Sequence, residues 1–154
     1  MRFEIVNPFI DSLIDVCQKI GIDIVKNKVN LKTGKKIEKK ISFYFKIKGD
    51  FKGIVIYEID ENLSTQIIKK VYNVDALPDD EEMLLSGIGE FGNIVNAKLI
   101  EATFRKGLNY SISHPIFSRS KGRVISYSSP CVEVSFSGAY GDIILSVVFE
   151  SVYL

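Results

Sequence analysis

Apolar residues recur along the chain with two periods, and the places where the period changes divide it into elements. In residues 4–20, EIVNPFIDSLIDVCQKI, the apolar positions Phe9, Ile10, Leu13, Ile14 and Cys17 stand three and four apart. That is the spacing of an amphipathic helix, with Pro8 in its first turns and Gly21 as its stop. The next stretch, IDIVKNKVNLKTGKKIEKK, alternates only in short pieces around Thr33-Gly34. It predicts a weak hairpin, or a strand followed by a lysine-rich loop. ISFYFKIKG and FKGIVIYEID are β-branched and aromatic on either side of Gly49-Asp50, the pattern of an antiparallel pair. ENLSTQIIKKVY predicts a short helix.

The longest helical segment runs from Pro78 to about Lys106. Proline and acidic residues open it, and Arg105 and Lys106 followed by Gly107 close it, each in the sense a helix dipole favours. The remainder, NYSISHPIFSRS, RVISYSSPCVEVSFSG and DIILSVVFESVYL, alternates at period two. Helix, strands, two helices and strands follow one another without a regular βαβ rhythm. The expectation is an α+β fold: a mostly antiparallel sheet of about six strands, with an N-terminal helix and a central pair of helices packed on it. No repeat or linker interrupts the chain, which reads as one domain over residues 1–154.

Composition narrows the function classes. The chain has 154 residues, 46% hydrophobic and 25% charged, with a net charge of +1. No global field points to nucleic acid or to an anionic membrane. No apolar run approaches the roughly 20 residues that span a bilayer, and Glu4 and Asp11 interrupt any signal-peptide core. Cys17 and Cys131 lack metal-ligand spacing and read as reduced thiols in a cytoplasmic protein. No metal is expected from this ligand set, no phosphate-cradling loop is present, and a single histidine, His114, leaves no catalytic triad. His114 itself reads as a structural or solvated residue. The basic stretch Lys26–Lys40 reads as a solvated loop, with electrostatic steering of an acidic partner as the alternative.

Residues 86–93, SGIGEFGN, contain the glycine spacing of a dinucleotide-binding turn, Gly87-x-Gly89-x-x-Gly92. Such a turn requires a buried strand before it and an acid about 20 residues after it. Here acidic, helix-opening residues precede it and helical pattern follows, so the spacing is fortuitous. On a helix, Leu84, Ile88, Phe91, Val95, Leu99 and Ala102 gather on one side as the buried face. Ser86, Glu90, Asn93 and Ala97 gather on the other, within a stripe about 60° wide. The glycines flank that stripe. They predict a surface that another molecule's backbone approaches closely, the alternative being tight packing inside this chain.

Ser86, Glu90 and Asn93, with Pro115 downstream, resemble the signature of the CheC/CheX/FliY chemotaxis phosphatases. In that signature an Asp or Ser precedes a Glu by four residues, an Asn follows three later, and a proline lies some twenty-two further on. GEFGNIVNAKL is similar to the family's Glu-Leu-Gly-Asn helix, and Lys106-Gly107 falls where the family has it. A second Glu-x-x-Asn, at Glu4 and Asn7, lacks the Ser or Asp in front. With one signature helix the chain is most similar to CheX. Ala97 replaces a residue that is often Gly, and His114-Pro115 replaces a frequent proline pair.

The resemblance implies hydrolysis of the aspartyl phosphate of a CheY-type response regulator. It implies Asn93 and Glu90 as catalytic residues, Asn93 orienting the water and Glu90 engaging the regulator's lysine. Ser86, Gly89, Gly92 and Pro115 would support the site or touch the partner. The Mg²⁺ would sit on the regulator, leaving this chain without a cofactor of its own. Homodimerisation is also implied, with the β-rich C-terminus supplying an edge strand. The competing reading is a non-catalytic scaffold of a chemotaxis or flagellar-switch complex with the same fold.

Overall fold

The N-terminal helical spacing becomes α1, Phe3–Lys19, whose Phe9, Leu13 and Cys17 are fully buried. It ends in a left-handed glycine, Gly21 at φ +86°. Ile22 N–H donates to the Cys17 carbonyl at 2.8 Å and Gly21 N–H to that of Gln18 at 3.0 Å, so the last carbonyls are capped. The computed structural model describes residues 3–118 and 124–152. After α1 come β1 (Ile24–Lys36), β2 (Ile41–Gly49), β3 (Phe51–Ile59), α2 (Glu61–Tyr72) and α3 (Glu81–Arg105). Four strands follow: β4 (Tyr110–Ile112), β5 (Ile116–Ser118), β6 (Val124–Gly138) and β7 (Gly141–Val152). Of the expected strand residues, Arg119, Ser120, Arg123, Tyr153 and Leu154 lie outside the described ones.

All pairings are antiparallel, in the order β1-β6-β7-β3-β2-β4, with β5 also on β2. The expected α+β architecture is therefore observed, with seven strands among the described residues where about six were expected. β2 and β3 pair as predicted, Phe43 opposite Tyr57 and Phe45 opposite Val55. Alternation sends these four side chains to the helix-covered face, where Phe43 stacks on Tyr57 with ring centroids 4.8 Å apart. The turn between the strands needs glycine: Gly49 has φ +129°, and a Cβ there would overlap the Asn109 carbonyl oxygen.

Two expectations are corrected. Residues 24–36 form one long strand, and Thr33-Gly34 is a register irregularity between Lys32 and Gly34 in its pairing with β6. The basic stretch is not a solvated loop throughout. Lys35 is 3% exposed and its Nζ lies 2.5 Å from Glu58 Oε2 and 2.8 Å from Glu133 Oε2. Glu58 belongs to β3, two strands beyond β6 in the sheet, so the end of β1 is turned across the face away from the helices. Glu58 Oε1 also accepts from the Glu38 N–H at 2.6 Å and the Lys39 N–H at 3.3 Å, pinning the crossover into β2. Burial opposes charge on Lys35, but its hydrogen bonds to Glu133 and Glu58 more than offset this and hold its pKa above the ordinary lysine value.

The second correction concerns the free edge. β6 and β7 lie inside the sheet, with residues 131–138 of β6 and 143–148 of β7 paired on both sides. Among the described residues the open edges belong to β1 and to β4 and β5. No described helix is long and apolar enough to cross a membrane.

Candidate functional site

α3 begins as its sequence predicts. Asp80 is the N-cap, its side chain accepting from the N–H groups of Glu82 at 3.0 Å and Met83 at 3.4 Å, with Glu81 and Glu82 in the first turn. It ends at Gly107, in the left-handed region at φ +76°. Ile88, Phe91, Val95 and Leu99 are at most 2% exposed, while Leu84 and Ala102 are half-buried. Phe91 meets Phe43 edge-on at 6.3 Å.

The opposite face carries Ser86, Glu90, Asn93 and Ala97, all exposed. Glu90 and Asn93 are separated by about 4.5 Å along the helix axis. Among the described residues neither has a hydrogen-bond or ion-pair partner. A carboxylate and a carboxamide thus stand side by side with all their hydrogen-bonding capacity directed outward.

The glycines do not open that surface. Gly87, Gly89 and Gly92 are buried, and each receives a side chain of this chain. A Cβ on Gly87 would meet Ile68 Cγ2 at 2.7 Å, and one on Gly89 would meet Phe117 Cζ at 2.9 Å. One on Gly92 would lie 3.3 Å from Phe43 Cε2 and 3.5 Å from Pro115 Cβ. The expectation that Gly89 and Gly92 admit a partner's backbone is therefore corrected to internal packing. Their place inside a continuous helix also excludes a pyrophosphate-binding turn.

Pro115 reaches α3 through an interruption of the sheet edge. β4 pairs with Ile47–Gly49 and β5 with Ser42–Tyr44 of the same strand, one residue out of register with each other. Between them Ser113 is stitched to Lys46: its N–H donates to the Lys46 carbonyl, and its Oγ accepts from the Lys46 N–H, both at 2.9 Å. A proline that cannot donate to the ladder is tolerated at such an edge bulge. The bulge lays Pro115 and Phe117 along one flank of α3, while His114 is exposed. The other flank is held by α2, whose Tyr72 hydroxyl donates to the Met83 carbonyl at 3.2 Å. Near the C-terminal end α1 takes over, with Asp15 paired to Lys98 at 3.2 Å.

The predicted stripe stops at Ala97. Continuing three and four residues reaches Ile100 and Phe104, 43% and 72% exposed, and three residues before Ser86 stands Met83, 43% exposed. Their spacing could have revealed them. Asn96, one turn past Asn93, buries an amide oxygen without a partner, which no spacing rule signals.

The family described as chemotaxis phosphatase CheX matches residues 41–137, a span that includes β2, β3, α2 and all of α3. The CheC-like superfamily protein of Shewanella sp. PV-4 superposes with a TM-score of 0.85 at 25% identity, over 98% of this chain and 100% of that one. The chemotaxis protein CheX of Desulfovibrio desulfuricans gives 0.83 at 20% identity, over 96% and 99%. CheX in the CheX–CheY–BeF₃–Mg²⁺ complex of Borrelia burgdorferi gives 0.72 at 21%, over 97% and 100%. A search of curated proteins finds no significant match. With the family match covering well over half its length, the chain belongs to the CheX family of chemotaxis phosphatases, within the wider CheC/CheX/FliY group.

Proposed function

We propose that this chain hydrolyses the aspartyl phosphate of a CheY-type response regulator, with Asn93 and Glu90 as its catalytic residues. The observation that carries the reading is the pair itself, exposed on the open face of a helix whose opposite face is buried in its own fold, and without a hydrogen-bond or ion-pair partner among the described residues. Such a pair completes a site only when a second protein supplies the rest. The Borrelia burgdorferi relative forms a complex with CheY, BeF₃ and Mg²⁺, which supports a regulator as that second protein.

The chemistry asks little of this chain. An acyl phosphate is already activated, so the task is to place a water in line with the bond between phosphorus and the aspartyl oxygen. The water oxygen bonds to phosphorus, the aspartyl oxygen leaves with the electron pair as a carboxylate, and both hydrogens of the water leave on the inorganic phosphate. The Asn93 carboxamide donates and accepts at once and can orient this water without being a strong base. Glu90 accepts a charge-assisted hydrogen bond from the regulator's lysine and sets the register between the proteins. Ser86, one turn earlier, makes an edge contact, and Pro115 shapes the flank against Gly92. Mg²⁺ comes with the regulator, and the reaction belongs to the cytoplasm.

A homodimer belongs to the same reading. The long free edge of β1 exposes Val25, Val29 and Leu31 at 63%, 43% and 68%, a surface suited to strand pairing across a two-fold axis. Sedimentation at micromolar concentration should return twice the chain mass, and the chain mass alone would remove the dimer.

Phosphoryl loss from a CheY-type regulator of the same organism, with and without this protein, tests the reaction. Acceleration by the wild type, reduced about a hundredfold or more in Asn93→Ala, is expected. Binding without acceleration would move the protein to the scaffold reading.

A further inference from the structure

We propose that Ile100 and Phe104 form the apolar anchor by which this protein seats the receiver domain of its regulator, setting affinity and choice of partner apart from the chemistry of Glu90 and Asn93. The proposal rests on the reading of Glu90 and Asn93 given above. The two residues continue the open face of α3 in an unbroken three-four rhythm: Ser86, Glu90, Asn93, Ala97, Ile100, Phe104. A solvent-facing helix stripe is ordinarily polar, yet here it turns apolar over its last two turns, with Phe104 72% exposed.

Among the described residues the core does not use them. The core at this level is closed by Leu99 and Thr103, both 1% exposed, and Thr103 Oγ1 donates to the Leu99 carbonyl at 2.9 Å. This end of the helix is also firmly held. Lys98 pairs with Asp15 of α1 at 3.2 Å, which ties it to the neighbouring helix. The apolar side chains are thus presented on a rigid element, so little ordering entropy opposes docking there.

Size decides the occupant. A specific protein interface covers about 800 Å² of each partner, a round patch of roughly 16 Å radius. Along α3, Ile100 lies about 10.5 Å from Asn93 and Phe104 about 16.5 Å, at 1.5 Å per residue. A domain seated over Asn93 therefore covers Ile100 and reaches Phe104. A small free substrate at Asn93 would reach neither. Well-packed apolar and aromatic anchors carry most of the binding energy in such interfaces.

The test uses the full chain and a CheY-type regulator of the same organism, activated with beryllofluoride and Mg²⁺ for binding and phosphorylated for rates. Ile100→Ser and Phe104→Ser should each weaken binding and raise KM roughly tenfold, with kcat within twofold and thermal stability unchanged. Phe104→Leu should recover most of the affinity. Wild-type acceleration with unaltered binding and KM in both serine variants would overturn the anchor and leave the phosphatase reading standing. Binding lost in the variants, with no wild-type acceleration, would support the anchor and overturn the phosphatase reading. A wild type that neither binds nor accelerates would overturn both.

Discussion

A Cβ placed on Gly87 would stand 2.7 Å from Cγ2 of Ile68, a residue of α2 that is 3% exposed and cannot withdraw. Gly89 has a softer neighbour, since Phe117 is 37% exposed and presents only the far end of its ring. Both glycines cost helix propensity, about 1 kcal/mol each relative to alanine. Gly87→Ala should nevertheless lower stability by about 1–2 kcal/mol, because overpacking against Ile68 exceeds the propensity gain. Gly89→Ala should be near neutral, with Phe117 displaced outward. Denaturant melts of both variants check the order, and equal stability in the two would refute the packing argument.

The buried ion cluster predicts a larger loss. Lys35→Ala leaves Glu58 fully buried, facing only the two crossover N–H groups, and should cost about 3–5 kcal/mol. Combining Lys35→Met with Glu58→Gln and Glu133→Gln should restore most of this. The amide carbonyl that Glu58→Gln introduces still accepts from the Glu38 and Lys39 N–H groups, and no buried charge is left alone. Urea unfolding of the single and triple variants makes the comparison, and a Lys35→Ala loss under about 1 kcal/mol would count against the cluster.

The same cluster sets a pH window. Burial alone would raise the Glu133 carboxyl, but hydrogen bonds and charges from Lys35 and Lys32 hold it below the ordinary value of 4.5. A depressed acid contributes stability above its unfolded pKa and loses it as pH falls through the folded one. Lys35, held above 10.5, contributes fully below that value and loses its share only as pH rises past the raised one. Across neutral pH both contributions are complete. Stability should therefore fall below about pH 4.5, and Glu133→Gln should flatten that acid limb. A melting temperature that falls equally in wild type and variant would exclude this origin.

The legible elements are those whose two faces differ. β2 and β3 alternate because one side meets the helices, and α3 shows its buried face and its open stripe in a single wheel. β1 is obscure because it is a twisted edge strand exposed on both sides over most of its length, so lysines and valines alternate without a core to order them. Lys35 is indistinguishable from its neighbours until pairing with β6 brings Glu133 to it and the turned end of β1 meets Glu58 of β3. The glycines do lie beside the stripe, where their spacing puts them. A wheel gives direction only, and whether α2, β5 or another molecule fills the space is a tertiary fact.

Position in the sheet bears on the lysines as well. Lys26 and Lys28 lie on β1 at one edge, while α3 packs near β2 and β5 at the other, Gly92 over Phe43 and Gly89 under Phe117. Five strand spacings of about 4.8 Å put roughly 24 Å between those edges, more than twice the Debye length of about 8 Å at physiological salt. Lys26→Ala with Lys28→Ala should leave KM for the phosphorylated regulator within twofold, and its salt dependence unchanged. A steeper loss at low salt would restore the steering role.

Glu90 and Asn93 should separate kinetically, because one is assigned to register and the other to the water. Asn93→Ala removes a group whose contribution appears only as the water attacks, so kcat should fall about a hundredfold or more while KM holds. Asn93→Asp keeps the shape but sets a negative charge against the phosphoryl oxygens, and should be no better than alanine. Glu90→Ala removes an interaction formed on docking and kept through the reaction, so KM should rise with the smaller change in kcat. Glu90→Gln should recover part of it as a neutral acceptor. Both positions face solvent from an intact helix, so melting temperatures of all four variants should match the wild type and the rates can be read as chemistry. A fall in kcat for Glu90→Ala as large as that for Asn93→Ala, with KM unmoved, would place the carboxylate in the transition state and overturn the division of roles.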